Sequence, residues 1–292
     1  MNVSIAIPTY RRGAILVETI ERLLALEPRA AEIVIVDQTR DYEPAIGSRL
    51  EAWSRDGAIR WIRLPEPSIP HAMNEALRVA ASPLVLFLDD DIEPSPSLVA
   101  AHAKPHDDAG VWAVVGQILQ PGETPQHHAV SGDELAFRFN HDEAVDVANV
   151  MAGNLSVKRE RALQAGGFDE NYVGAAYRFE TDFALRIVAA GGRVRFEPAA
   201  TLRHLKLSAG GLRAFGDHRT SASPLHGVGD YYFALHHRRS MFWRYALRRL
   251  IQNTATRYHL AHPWTIPSKL TGELRAIALA RELARRGPRL VR

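Results

Sequence analysis

The chain has 292 residues, 46% hydrophobic and 24% charged, with a formal net charge of +3. That is ordinary for a globular protein and long enough for one large α/β domain with an appendage. No apolar run nears the eighteen or so residues of a membrane span, and the absence of cysteine excludes disulfides and thiolate metal sites.

The small net charge conceals an asymmetry. Residues 201–292 carry 17 Lys+Arg against 4 Asp+Glu, a net of +13, whereas residues 1–200 carry 19 against 29, a net of −10. A basic C-terminal third suits an anionic membrane, a phosphorylated acceptor or nucleic acid, or is a solvated helical face. No recognised nucleic-acid module accompanies it, so no nucleic-acid partner is expected. Residues 1–10 do not read as a secretory signal, because Arg11 and Arg12 follow the apolar stretch. A cytoplasmic protein is expected, with peripheral contact at the inner face of the cell membrane as an extension of that reading.

In chain order, Val3 to Ile7 predicts a strand ended by Pro8-Thr9-Tyr10-Arg11-Arg12-Gly13, and Ile15 to Leu26 has helical spacing. A second strand, Glu32 to Val36, stops at Asp37. Leu50 to Trp53 suggests a helix, Ala58 to Leu64 a strand and Met73 to Ala81 a helix. Leu84 to Leu88 is a fourth strand, Val111 to Val115 and Gln117 to Leu119 give further strand material, and residues 121–147 form a polar, irregular excursion. A short strand is expected at Val194-Arg195-Phe196, and from Asp217 the pattern is helical and basic. Alternating strands and helices imply right-handed crossovers and a mostly parallel sheet flanked by helices.

Five large apolar residues from Leu84 to Leu88 read as a strand buried on both faces, and Asp89, Asp90 and Asp91 follow at once. Two like charges about 4 Å apart repel by roughly 4 kcal/mol near a protein surface. Such a cluster sits at a solvated edge or is neutralised by a cation, and carboxylates suit hard ions such as Mg²⁺ or Mn²⁺. Open α/β sheets bind ligands beyond the carboxyl ends of their strands. Three strands here end in polar residues, which predicts one nucleotide-and-metal cleft.

With these residues in view the chain resembles glycosyltransferase family 2, inverting nucleotide-sugar transferases of the Rossmann-like GT-A fold. The matching segments are IAIPTYRR, EIVIVDQTRD, HAMNEALRVAASPLVLFLDDDIEPSP, MAGNLSVKRERALQAGGFDENY and RFETDFALRIVAAGGRVRF, across about residues 2–204. The resemblance implies a catalytic domain over 1–216, its nucleotide-binding half about 1–120 and its acceptor half about 121–216, and a basic helical extension over 217–292.

The same resemblance assigns Pro8, Thr9, Tyr10 and Arg11 to the first nucleotide loop and Asp37 to the base, where a strand-end cap is the bland alternative. The triplet matches the Asp-x-Asp motif: Asp91 is the expected ligand of Mn²⁺ or Mg²⁺, with Asp89 and Asp90 near the ribose or the ion's waters. His204 is an additional metal ligand. Asn154, Gly167, Phe168 and Asp169 fall in segments that shape the donor and acceptor side, and Arg213 suits diphosphate contact. Glu180 aligns with the general base, although its place at a helix start is also favoured by the helix dipole. Asp182 joins the catalytic set in a supporting or acceptor-positioning role. One departure stands out: Met73 replaces an arginine that helps hold the nucleotide, and a thioether cannot donate a hydrogen bond. A UDP-sugar is favoured, with dTDP- and GDP-sugars open. The acceptor is a glycan, lipid-linked or small-molecule hydroxyl in polysaccharide or other cell-surface glycan synthesis, and a homodimer is a further expectation. The rival readings are a non-catalytic relative and a sugar nucleotidyltransferase.

Overall fold

The computed structural model describes residues 2–130, 134–206, 210–211 and 217–291. Its first half alternates strand and helix: β1 (Val3–Thr9), α1 (Ala14–Leu24), β2 (Glu32–Asp37), α2 (Pro44–Arg55), β3 (Arg60–Arg63), α3 (Ile69–Val79) and β4 (Leu84–Leu88). Then come β5 (Ile92–Pro94), α4 (Leu98–Ala103), β6 (Val111–Leu119), β7 (Val145–Val147), β8 (Asn154–Lys158), α5 (Arg159–Gln164), α6 (Phe179–Ala189) and β9 (Arg193–His204). Four longer helical segments follow: α7 (Val228–His237), α8 (Phe242–Thr254), α9 (Arg257–Ala261) and α10 (Ile266–Arg286).

The strands form one sheet in the order β3-β2-β1-β4-β8-β6-β9-β5, with β7 on β9. The β3-β2-β1-β4 half is parallel throughout. β8 runs antiparallel to β4 and β6, and β9 is parallel to β6 and antiparallel to β5 and β7. Alternate residues of β4 enter opposite cores: Leu84, Leu86 and Leu88 pack with α1 and α4, Val85 and Phe87 with α3, α6, α7, α8 and α10. Burial on both faces is what the unbroken apolar run requires. The basic C-terminal helices thus share a core with the sheet.

Several elements extend beyond the expectation. α2 runs from Pro44 to Arg55 with only Leu50 buried, so apolar spacing shows little of it. β9 has twelve residues instead of three. Its pairing with β6 jumps from Gly116↔Glu197 to Ile118↔Leu202, and Pro198 sits in that irregularity, where no ladder hydrogen bond is demanded of it. β5 was not expected at all; its Ile92 pairs with His204.

Two histidines are buried beneath the antiparallel strands. His102 contacts Ser156 Oγ through Nδ1 (3.0 Å) and Asn154 Oδ1 through Nε2 (2.8 Å), and His106 Nε2 reaches the same Ser156 Oγ (2.9 Å). Burial lowers their pKa values to about 4 and about 3. Between those values and the unfolded value near 6.5 the unfolded chain binds more protons, so stability falls as pH is lowered through that window. Urea unfolding at pH 7.5, 6 and 5 should show a progressive loss of up to a few kcal/mol. A His102→Gln variant should lose less over the same interval; an equal slope would contradict the assignment.

Candidate active site

The carboxyl ends of β1 and β4 open into a cavity of about 580 Å³. Its walls include Thr9, Tyr10 and Arg12 after β1, Asp89 to Asp91 after β4, Gln120 after β6 and His204 at the end of β9. Glu180, in the first turn of α6, lines the same cavity with Met73 and Gly153. These residues lie far apart in sequence and meet because ligand-facing strand ends share one edge of the sheet.

The three aspartates are used differently. Asp90 turns inward: Thr9 Oγ1 donates to it (2.7 Å) and Arg12 Nε lies 3.0 Å away. Burial nevertheless raises its pKa to about 7, against the lowering effects of Arg12 and Thr9. Asp91 has a side chain only 1% exposed, with Oδ2 3.4 Å from Arg12 and Oδ1 3.0 Å from His204 Nε2. Asp89 has a half-exposed side chain, 3.8 Å from the same Nε2. It rests on Gly153, where any Cβ would overlap its carboxylate.

Asp89, Asp91 and His204 present ligand atoms within 4.8 Å of one another. Two carboxylates and an imidazole form a donor set that fits Mn²⁺ or Mg²⁺. His204 Nδ1 lies 3.2 Å from Gln120 Oε1, an acceptor that a proton on Nδ1 satisfies, which leaves Nε2 to face a cation or, when it too is protonated, to donate to Asp91. The hydrogen bond to Asp91 raises the His204 pKa. Without an ion, a proton on this ring answers the same negative charge.

Glu180 is held from the opposite wall. The Ala152 N–H donates to its Oε1 (2.8 Å), and the next residue is the glycine beneath Asp89. One dipeptide therefore sets both carboxylates. The turn into α6 is unusual, since Ala176 (φ 50°) and Arg178 (φ 74°) occupy the left-handed region. Such residues cost of order 1 kcal/mol or more each and persist only where neighbours hold them. Here Arg178 Nε donates to the buried Asp230 of α7 (2.8 Å), and Arg249 of α8 reaches the other Asp230 oxygen (2.6 Å).

The remaining expected residues are distributed as follows. Pro8, Thr9 and Tyr10 line the cavity, while Arg11 faces an adjoining one with Tyr10 and Thr39. Asp37 is fully buried beside the cavity-lining Gln38, accepting from Thr39 N (2.8 Å) and Trp61 Nε1 (2.9 Å). Asn154 is buried and spans Gln117 O and Ala200 O, a strut beneath the wall whose cavity-facing neighbour is Gly153. The Phe168 backbone exchanges two hydrogen bonds with the Asn74 side chain, Gly167 O accepts from Arg186, and Asp169 accepts from Tyr232 and Arg289 N. Asp182 lies behind the cavity wall, bound to Arg186 (2.9 Å) and His237 (2.7 Å). Arg213 lies outside the described residues. Arg12 and Gln120 were not among the expected site residues; the Arg11-Arg12 doublet was visible, but which arginine meets the triplet depends on the turn.

A family model described as glycosyl transferase family 2 matches residues 4–160, just over half of the chain. The chain belongs to glycosyltransferase family 2. Its fold is GT-A, as likeness to solved structures shows. One is GalNAc-T7, solved with UDP, GalNAc and Mn²⁺ (TM-score 0.66, 15% identity, 95% of this chain and 56% of that one). A second is the mannosyltransferase PcManGT from Pyrobaculum calidifontis, in complex with GDP-Man and Mn²⁺ (0.55, 20%, 98% and 79%). S. aureus TarS aligns over 71% of this chain and 37% of its own, at TM-score 0.53 and 14% identity. The family 2 chain therefore spans little more than half the length of GalNAc-T7. No curated protein sequence matches it.

In this family 2 chain, Asp182 carries a separable prediction. Its two partners hold its pKa low despite burial, so its stabilising effect is present above the ordinary carboxylate range and fades as pH falls below it. Asp182→Ala removes the carboxylate partner of Arg186, which keeps its bonds to the Ala165 and Gly167 carbonyls, and should lower unfolding free energy by about 2–4 kcal/mol. Calorimetry should show a clear fall in the melting midpoint; unchanged stability with lost turnover would instead place Asp182 in the chemistry.

Proposed function

We propose that the protein transfers a sugar from a nucleoside diphosphate sugar to an acceptor hydroxyl, with inversion and with a divalent cation. The observation that carries this reading is the meeting of Asp89, Asp91 and His204 in the same cavity as Glu180. UDP and GDP-mannose in the related structures support a nucleoside diphosphate donor, and their Mn²⁺ supports the cation. Asp91, Asp89 and His204 would hold Mn²⁺ or Mg²⁺, which supplies charge neutralisation at a diphosphate leaving group.

The chain's own residues then divide the work. Thr9, Tyr10 and Arg12 bind the nucleotide end, Arg12 bringing a fixed positive charge against Asp90 and Asp91. Asp37 acts on the base through the architecture of the β2 end, holding Thr39 and Trp61 in place. Met73 meets the nucleotide by apolar contact, which fits more than one base. Glu180 removes the proton from the acceptor hydroxyl, and the oxygen attacks the anomeric carbon opposite the departing diphosphate. One displacement inverts the centre with no covalent sugar–enzyme intermediate. Positioning and a base of suitable pKa account for the protein's share. The acceptor is a glycan, lipid-linked or small-molecule hydroxyl, in keeping with synthesis of a cell-surface glycan.

Glu180→Gln keeps an acceptor for the Ala152 N–H but removes the base. Turnover of the cognate donor should fall by about 10²–10⁴-fold while donor affinity, measured by calorimetry, changes little. Near-normal turnover overturns the base assignment. NMR of the wild-type product should show the anomeric configuration opposite to the donor's, and retention would exclude the single displacement.

A further inference from the structure

The C-terminal helices present a surface that the sugar-transfer reading does not use. In α8, Phe242 and Ala246 face the core. Trp243, Leu247 and Ile251, repeating every four residues on the outward stripe, are 62%, 61% and 53% exposed. α10 runs antiparallel beside it, since the Arg281 guanidinium lies 4.9 Å from the centre of the Trp243 ring while Asn253 reaches Glu273 (3.4 Å). That alignment sets Leu274, also exposed, at the level of Ile251. The segment joining the helices adds Leu260 and Trp264, both more than 70% exposed. Single exposed apolar residues are ordinary, but three at one helical spacing on α8, with further exposed apolar side chains on the neighbouring segments, mark a contact surface.

The charge around the stripe says what it meets. Residues 201–292 hold only four carboxylates. Asp230 and Glu273 are buried in ion pairs with Arg178, Arg249 and Lys269. Asp217 is paired with Arg219 and Glu282 with Arg286. Arg244, Arg248, Arg275 and Arg281 are exposed on α8 and α10, and among the described residues from 217 onward each Asp and Glu already has a basic partner. A second copy docking through the same face would bring arginine against arginine. A surface of anionic headgroups over acyl chains answers both features: tryptophan and leucine enter the interface, and arginine side chains reach up to phosphates. No helix among the described residues is long and apolar enough to cross a membrane, so attachment would be by lying on it.

We propose that the α8–α10 face, through Trp243, Leu247 and Ile251 with Arg244 and Arg248, docks on an anionic lipid bilayer. The inference is independent of the transfer chemistry. It is tested by sedimenting the full chain with vesicles of phosphatidylcholine alone or with phosphatidylglycerol, at about 50 mM salt and at about 0.5 M. Wild type should pellet with the anionic vesicles at low salt, be released at high salt, and show tryptophan quenching by brominated lipid. The Trp243→Ser/Leu247→Ser/Ile251→Ser variant should bind about tenfold more weakly with an unchanged melting curve, because the three residues are exposed. Arg244→Glu/Arg248→Glu should lose the preference for anionic vesicles. The proposal is overturned by wild type that stays in the supernatant at low salt, by equal binding of wild type and both variants, or by no quenching. It is equally overturned if sedimentation velocity without lipid shows a dimer that the triple variant dissolves, which would assign the face to a second copy.

Discussion

Three consecutive carboxylates at the end of a strand buried on both faces repel one another by several kcal/mol when left together, and the cleft is organised around dividing that charge. Asp90 is drawn inward to Thr9 and Arg12, Asp91 is shared between Arg12 and His204, and Asp89 is carried outward over Gly153. Several strand ends contribute: β1 supplies Thr9 and the turn with Arg12, the residue before β8 is Gly153, β9 supplies His204, and Gln120 after β6 meets the far nitrogen of the His204 ring. Two of the three carboxylates therefore stay directed at one ring nitrogen, where a proton or a divalent cation completes the neutralisation.

The second constraint is transmitted from the C-terminal helices. Glu180 sits at the start of α6 because the preceding turn is held in a left-handed conformation by Asp230, and Asp230 is itself fixed by Arg249 and Tyr245. Gly229 of α7 lies so close to the Tyr177 carbonyl that a Cβ there would overlap it. The basic region thus has two faces with different tasks. Its inner side anchors the turn that aims Glu180, and its outer side carries the exposed tryptophans and arginines.

The parallel half of the sheet was legible because its signals are local. Leu84 to Leu88 is a continuous apolar run, and a carboxylate triplet cannot remain in the core that the run demands. Glu180 was named through the family's acidic motif, and the apolar spacing of Phe179, Phe183 and Ile187 showed only that it begins a helix. His204 could be named from the sequence, but its reason could not, since β5 is a three-residue strand with a glutamate and a proline whose pairing is seen only in three dimensions. Gln120 and Arg12 were hidden for the same cause: nothing near them in sequence shows which strand end they will face. Asn154, Phe168 and Asp169 lie in the right segments, yet their polar groups brace the wall from behind. Segment resemblance locates a loop; only packing distinguishes the residue that lines it from the residue that supports it.

The central claim is that Asp89, Asp91 and His204 bind nucleoside diphosphate through a divalent cation. The most direct test is the thermal shift of the protein across UDP, GDP and dTDP, with and without Mn²⁺, in wild type and in Asp91→Ala. A ligand at about 100 times its dissociation constant adds about 2.7 kcal/mol, so at least one nucleotide should raise the wild-type midpoint by about 5 °C with Mn²⁺. Without the metal, and in Asp91→Ala, that shift should disappear. Equal shifts with and without Mn²⁺, or an undiminished shift in Asp91→Ala, would contradict the account.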